Sequence, residues 1–170
     1  MEIRTPYLNA HTWLRWLTDR TIAACESLTA EELRREFPIG IGSVHGTLVH
    51  LAGAERIWIS VLQNDDAGVY MPSTEMLPDL SSIKVHLAQS RARWDTYLNA
   101  LDAAELDRIV ERHRDGRVFR QTAADAIMQV PTHALYHNAQ LSFMFRSMGR
   151  QLPDSAWIGW GRERIGMDLG

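Results

Sequence analysis

Apolar positions recur at spacings of three and four in four long stretches of the chain, the period that gathers side chains on one face of an α-helix. In the first, Thr5 and Pro6 are expected as N-cap and first helical residue, and Ala10, Leu14, Leu17, Ala24 and Leu28 mark a face that Trp13 and Trp16 widen. In the second, Ser43 is the expected N-cap, and Val44, Leu48, Leu51, Trp58 and Leu62 form the stripe, with Glu55 inside it. His50 lies on the neighbouring face with Thr47, Ala54 and Ile57, and is expected to point inward or nearly so. The third should start near Ser81 or Ser82; it buries Ile83, Leu87, Trp94, Leu98 and Leu101 and leaves Lys84, Arg91, Arg93 and Asp95 to solvent. The fourth, capped by Thr122 with Asp125 and ended by Gly149, carries Ala126, Val130, His133, His137, Leu141, Met144 and Met148 on one seam. Pro131 removes one of its backbone hydrogen bonds, so a kink is expected just before the histidines.

The segments between these stretches carry turn chemistry. Thr29 and Glu32 have capping-box spacing for a short helical turn, as do Asp102 and Glu105. Asn64 to Gly68 stops the second helix, and the segment from Pro72 to Pro78 is long enough to cross one end of a bundle. Arg108 to Arg120 breaks the helical period around Asp115-Gly116, a strong two-residue hairpin turn. The tail from Pro153 to Gly170 lacks a long periodic pattern, and its Trp157 and Trp160 are expected to anchor it to the bundle or to a partner subunit. The pattern predicts an all-α protein: a four-helix bundle with a long crossover between helices two and three and a small β-hairpin before helix four. No repeat or linker divides it, so residues 1–170 are read as one domain.

Composition narrows the function. A net charge of -3 lacks the basic surface that nucleic-acid binding requires, and no stretch reaches the apolar length of a membrane span. The N-terminus has no basic segment leading into an apolar run, and a cytoplasmic protein is expected. The single cysteine, Cys25, fits a reducing compartment, rules out a Cys-rich zinc site, and is expected to pack as a small apolar residue rather than act as a nucleophile. Any metal must be held by histidine, carboxylate or water.

A lone histidine in an apolar seam is most often a core imidazole with a hydrogen bond. His133 and His137, at i and i+4, send two rings from adjacent turns into one space, which is half of a metal site. His50 offers the third ligand from another helix, since bundles build metal sites from inward side chains of facing helices. Three neutral imidazoles suit zinc, nickel, iron or copper and leave a position for water or substrate. Glu55, Gln140 or backbone carbonyls are candidates to orient the rings. His45 sits five positions before His50 and is read as a first-turn residue; His113, beside the hairpin turn, is expected to be exposed.

The run Ser43-Val44-His45-Gly46-Thr47-Leu48-Val49-His50-Leu51, continuing into Ala54-Glu55-Arg56-Ile57-Trp58, resembles the second-helix motif of the DinB/YfiT-like family of metal-dependent bundle proteins. His133-Ala134-Leu135-Tyr136-His137-Asn138-Ala139-Gln140 is similar to that family's last-helix motif, and Gly149-Arg150-Gln151-Leu152-Pro153 also fits. Many members have a second histidine beside the last ligand and an HRGQ run, where this chain has Tyr136-His137-Asn138-Ala139-Gln140. The resemblance covers nearly the whole chain and implies His50, His133 and His137 as ligands of a divalent metal, zinc or nickel first, with iron, copper or manganese as alternatives. Members with known activity are thiol-dependent: some are similar to bacillithiol transferases, others to the mycothiol-dependent maleylpyruvate isomerase. A thiol-dependent S-transferase is therefore the leading expectation, with a low-molecular-weight thiol as cofactor, a small-molecule substrate, and a pocket between helices one, two and four. The alternatives are a metal-dependent hydrolase, for which Glu55 is the nearest carboxylate to His50 on the same helix, and a non-catalytic metal- or small-molecule-binding stress-response protein. The family often dimerises, and six tryptophans with an aromatic tail point the same way, to a homodimer.

Overall fold

The computed structural model describes residues 2–166 and is mostly helical, with one two-stranded sheet. Helix α1 spans Thr5–Cys25 and starts one residue earlier than Thr5 as a cap would place it. The Thr5 N–H already donates to the Glu2 carbonyl (3.0 Å), so Arg4 takes the N-cap position without a side-chain cap. A short α2 (Ala30–Arg34) follows, with the expected capping box between Thr29 and Glu32. Ser43 caps α3 (Val44–Leu62) by accepting the Gly46 N–H at 3.0 Å. Asn64 ends that helix in the left-handed region at φ 53°, and the Asp65 N–H closes the end on the Ser60 carbonyl (2.8 Å).

The crossover, residues 63–79, contains one 3-10 turn at Asp66–Gly68. It lies against α3 because position 53 is glycine: a Cβ there would stand 2.5 Å from Met71 Sδ and 2.5 Å from Pro72 Cδ. His45 pins its far end, donating from Nε2 to the Leu77 carbonyl (2.8 Å). Helix α4 (Leu80–Asn99) begins slightly before the predicted serines. Asp79 is the cap, and Ser82 is its partner at the third helical position, so the serine signal belonged to the inner half of a capping box.

After α5 (Ala103–Asp107), capped by Asp102, strands β1 (Ile109–Arg114) and β2 (Arg117–Thr122) form the antiparallel hairpin. Asp115 and Gly116 both adopt positive φ (52° and 72°), as a type I′ turn requires. Helix α6 (Ala123–Ser147) starts on the Thr122 cap and ends where Gly149, at φ 71°, lets the Arg150 N–H reach the Phe145 carbonyl (2.9 Å). The tail is more ordered than its pattern suggests: α7 (Trp157–Arg164) buries Trp160 against Trp13 and Leu17, and Trp16 Nε1–H donates to Glu163 (2.9 Å). Both tail tryptophans thus sit on α1, with the Trp157 ring tilted against Trp13 at 5.6 Å between centroids.

Helices α1 and α3 each pack on both α4 and α6, so the predicted stripes meet in one core around Leu14, Leu48, Ile83, Trp94, Leu141 and Phe145. Each such side chain contributes roughly 1.5–3 kcal/mol by leaving water. Helix α6 runs unbroken through Pro131, whose missing N–H would leave the Ile127 carbonyl unpaired. His11 of α1 fills that gap, donating from Nε2 to the Ile127 oxygen (3.1 Å) while its ring stacks on Trp94 at 4.3 Å. The hairpin packs on α3 and α6, beside the histidines.

Candidate metal centre and cavity

His50 projects from the middle of α3 toward α6, where His133 and His137 stand one turn apart. The candidate ligand atoms of the three rings all lie within 4.8 Å of one another. His133 Nε2 is 3.1 Å from His50 Nε2 and 3.0 Å from His137 Nε2. His137 is buried, and the other two are half-buried. The structure therefore brings together all three residues that the sequence singled out.

The chemistry of this donor set fits a cation. His137 donates its Nδ1–H to Gln140 Oε1 (2.8 Å), so its neutral ring turns an Nε2 lone pair toward the other two. Each neutral imidazole nitrogen offers one N–H or one lone pair, not both. A proton on His133 Nε2 serves one neighbour at a time; without it, lone pair faces lone pair across 3.0 Å. Meanwhile His133 Nδ1 is buried with no partner. A positive ion among the three nitrogens removes this conflict by accepting all three lone pairs.

Burial keeps the rings neutral, the form a metal needs. Desolvation lowers the pKa of all three, and the neighbouring charges act in the same direction on two of them: His137 and Arg114 on His50, and His137, His50 and Arg112 on His133, which falls to about 4. For His137 the Gln140 hydrogen bond offsets part of the desolvation.

Gln140 is thus the orienting partner, and a glycine makes room for it. Gly40, in the loop before α3, has φ +58°, and a Cβ on it would stand 2.6 Å from Gln140 Cδ and closer still to Oε1. Glu55, the other candidate, turns away. It is buried on the side of α3 that meets α4, its carboxylate 3.9 Å from Arg91 Nε, where loss of solvent raises its pKa to about 7 against the pull of Arg91 and Arg15. Neither a ring-orienting role nor a base role at the histidines is open to it. Cys25 is fully buried, and desolvation pushes its thiol up to about 12, so it is packing material as expected.

Beside the histidines opens a cavity of about 500 Å³. Its walls are α3 (His50, Ala54, Ile57, Trp58), α6 (Gln129, His133), the crossover (Val69, Tyr70, Met71) and β1 (Arg112, His113, Arg114). Helix α1 contributes nothing to it, which corrects the expected placement between helices one, two and four. His113 is exposed as predicted yet stands on the rim. Arg112 and Arg114 were not singled out by sequence; the signal was the strand alternation that puts them on one face with buried Val110.

The DinB family model matches residues 5–157. A solved DinB-like protein from Bacillus cereus is similar in fold, with a TM-score of 0.59 at 17% identity over 87% of this chain and 94% of that chain. No curated protein matches the sequence.

Proposed function

We propose, from the premise that this chain belongs to the DinB family, that His50, His133 and His137 hold one divalent cation, and that the adjoining cavity admits a small thiol and its electrophilic partner for S-transfer. The observation that carries this reading is the convergence of three Nε2 atoms, two of them on His50 and His133 in the wall of a cavity large enough for a small molecule. Zinc and nickel suit three imidazoles best, with iron, copper and manganese as further candidates. A cation so held would supply Lewis acidity that lowers the pKa of a thiol or a water.

The chain's own residues favour the thiol. Cys25 is sealed in the core, so the sulfur must enter from solution. No carboxylate lines the cavity, which leaves a water-activating mechanism without an acidic-residue base there. Gln140 holds the His137 ring in one tautomer, and Trp58, Ile57, Val69 and Met71 give the cavity an apolar wall that limits water. One observation supports a hydrolase as second reading: His113 stands on the rim, where an imidazole can take a proton from water.

The test begins with elemental analysis of protein purified without an affinity tag or added metal, alongside His50→Ala. Stoichiometric metal in the native protein and none in the variant is the expected result. Cobalt-substituted protein is then titrated with bacillithiol-, mycothiol- and glutathione-type thiols and followed by its thiolate charge-transfer band. A band with one of them supports the transferase. No band with any thiol, together with ester hydrolysis that His113→Ala abolishes, replaces it with the hydrolase. A native protein that takes up no metal would leave a non-catalytic bundle.

A further inference from the structure

Among the described residues, Arg112, on the cavity wall, has no counter-charge in contact with it. Several guanidinium groups elsewhere in the fold are matched with acids, Arg15 with Asp95, Arg91 with Asp19, Arg93 with Asp65 and Arg150 with Glu32, while Arg56, over the Tyr70 ring, is not. On the outer face of the hairpin itself, Arg120 Nε meets Glu111 at 2.8 Å. Arg112, on the inner face, has no carboxylate within 4.0 Å among the described residues. Its guanidinium lies 4.9 Å over the Trp58 ring, and its buried Nε–H has no acceptor. Arg114, two residues on, engages only the exposed Asp115 beside it, through Nε at 3.2 Å.

With neutral histidines and no acid among the lining residues, Arg112 gives the cavity an uncompensated positive charge, and Arg114, paired only with an exposed carboxylate that water screens, stands beside it. A divalent cation among the histidines would add to it. The cation–π contact with Trp58 holds the Arg112 guanidinium in place without using its hydrogen-bond donors, which leaves them free for an oxyanion.

We propose that the molecule bound in this cavity carries a carboxylate, which Arg112 and Arg114 hold at the hairpin end while the rest of the molecule lies along Trp58, Ile57 and Met71 toward the three histidines. This rests on the reading that the cavity beside the histidines is the ligand site, and names the charge class that site selects. Carboxylate is favoured over phosphate because the flat fork of one ordered guanidinium matches a planar two-oxygen group, and no helix N-terminus or lysine that would serve a phosphate lines the cavity.

The experiment compares mercaptosuccinate with 2-mercaptoethanol on the full-length, cobalt-loaded protein, reading each Kd from the thiolate charge-transfer band. In the native protein mercaptosuccinate is expected to bind at least about tenfold more tightly. R112Q/R114Q should lose that preference while 2-mercaptoethanol stays within about twofold. R112K, which keeps the charge but not the fork, should fall between. R120Q removes the same charge from the outer face and should change nothing. Cobalt stoichiometry in each variant reports that the fold and the histidine cluster are intact. Equal affinity for the two thiols in the native protein, or an unchanged preference in R112Q/R114Q, overturns the proposal. Should the native protein take no cobalt, the metal reading fails by itself, and the arginines are tested by calorimetric titration of the metal-free protein with succinate. Binding that R112Q/R114Q abolishes sustains the carboxylate site, and no binding removes it. Inorganic phosphate that binds more tightly than succinate also overturns it.

Discussion

Replacing Gly40 by alanine should weaken metal binding from a position that touches no histidine. The added Cβ would stand 2.6 Å from Gln140 Cδ, so the Gln140 side chain must leave, and with it the 2.8 Å acceptor that fixes His137 Nδ1–H. Loss of such an outer partner costs about 10–100-fold in metal affinity, or roughly 1.4–2.7 kcal/mol. The φ of +58° adds a separate cost of about 1 kcal/mol to the fold. Gly149→Ala separates the two effects: its φ is +71° and nothing lies within 4 Å of the added methyl, so it should lose stability by a similar amount and keep its affinity. Affinity is read by competition with a chromophoric chelator and stability by urea unfolding. The double variant Gly40→Ala/Gln140→Ala should bind metal no more weakly than Gln140→Ala alone, because both act through one hydrogen bond. Affinity within twofold of native in Gly40→Ala, or losses that add in the double variant, would refute the reasoning.

The other expectations concern the core and the surface. His11→Ala strands the Ile127 carbonyl and opens a gap beside Trp94, at a cost of about 2–4 kcal/mol; adding Pro131→Ala supplies an N–H to that carbonyl and should restore about 1 kcal/mol in a urea-unfolding cycle, whereas strictly additive losses would show that no such link exists. Glu55, raised from 4.5 to about 7 in the fold, makes the folded state bind more protons than the unfolded one between those values, so its contribution is present below pH 4.5 and lost as pH rises to 7. Glu55→Gln should therefore gain on native protein by about 3 kcal/mol across that window, and parallel stability curves would exclude it. Cys25 should resist iodoacetamide at pH 8 until the protein unfolds, and prompt native-state alkylation would contradict its burial. A homodimer is proposed because α6 exposes Met128, Leu135 and Phe143 while α7 exposes Trp157 and Ile158; sedimentation as a monomer at tens of micromolar would remove it.

What the sequence made legible followed from local rules. Spacing alone put His133 and His137 on one seam, and the breadth of the apolar surface on α3 turned His50 toward them. Caps at Ser43, Asp102 and Thr122 were readable because each bonds within three residues of itself. Glu55 was harder to place: five residues beyond His50 is roughly 140° round the helix, and which neighbour occupies that direction depends on packing. Gly40 and Gln140 meet across the fold, as do His11 and the carbonyl freed by Pro131, so neither pair leaves a periodic trace. For Arg112 and Arg114 the turn fixed the hairpin, but the face turned to the helices was decided by its docking on α3 and α6.

The candidate ligands are divided along the chain, His50 and His133 standing 83 positions apart. During synthesis His50 leaves the ribosome while the helix that must face it has yet to be made. The pair on α6 follows well after it and alone offers only two donors. A three-donor site therefore comes into being at a single moment, when α6 docks on α3. An ion captured then would act as a latch on finished topology rather than a seed for folding, and the cation that fills the site would be the one the cell offers at that moment.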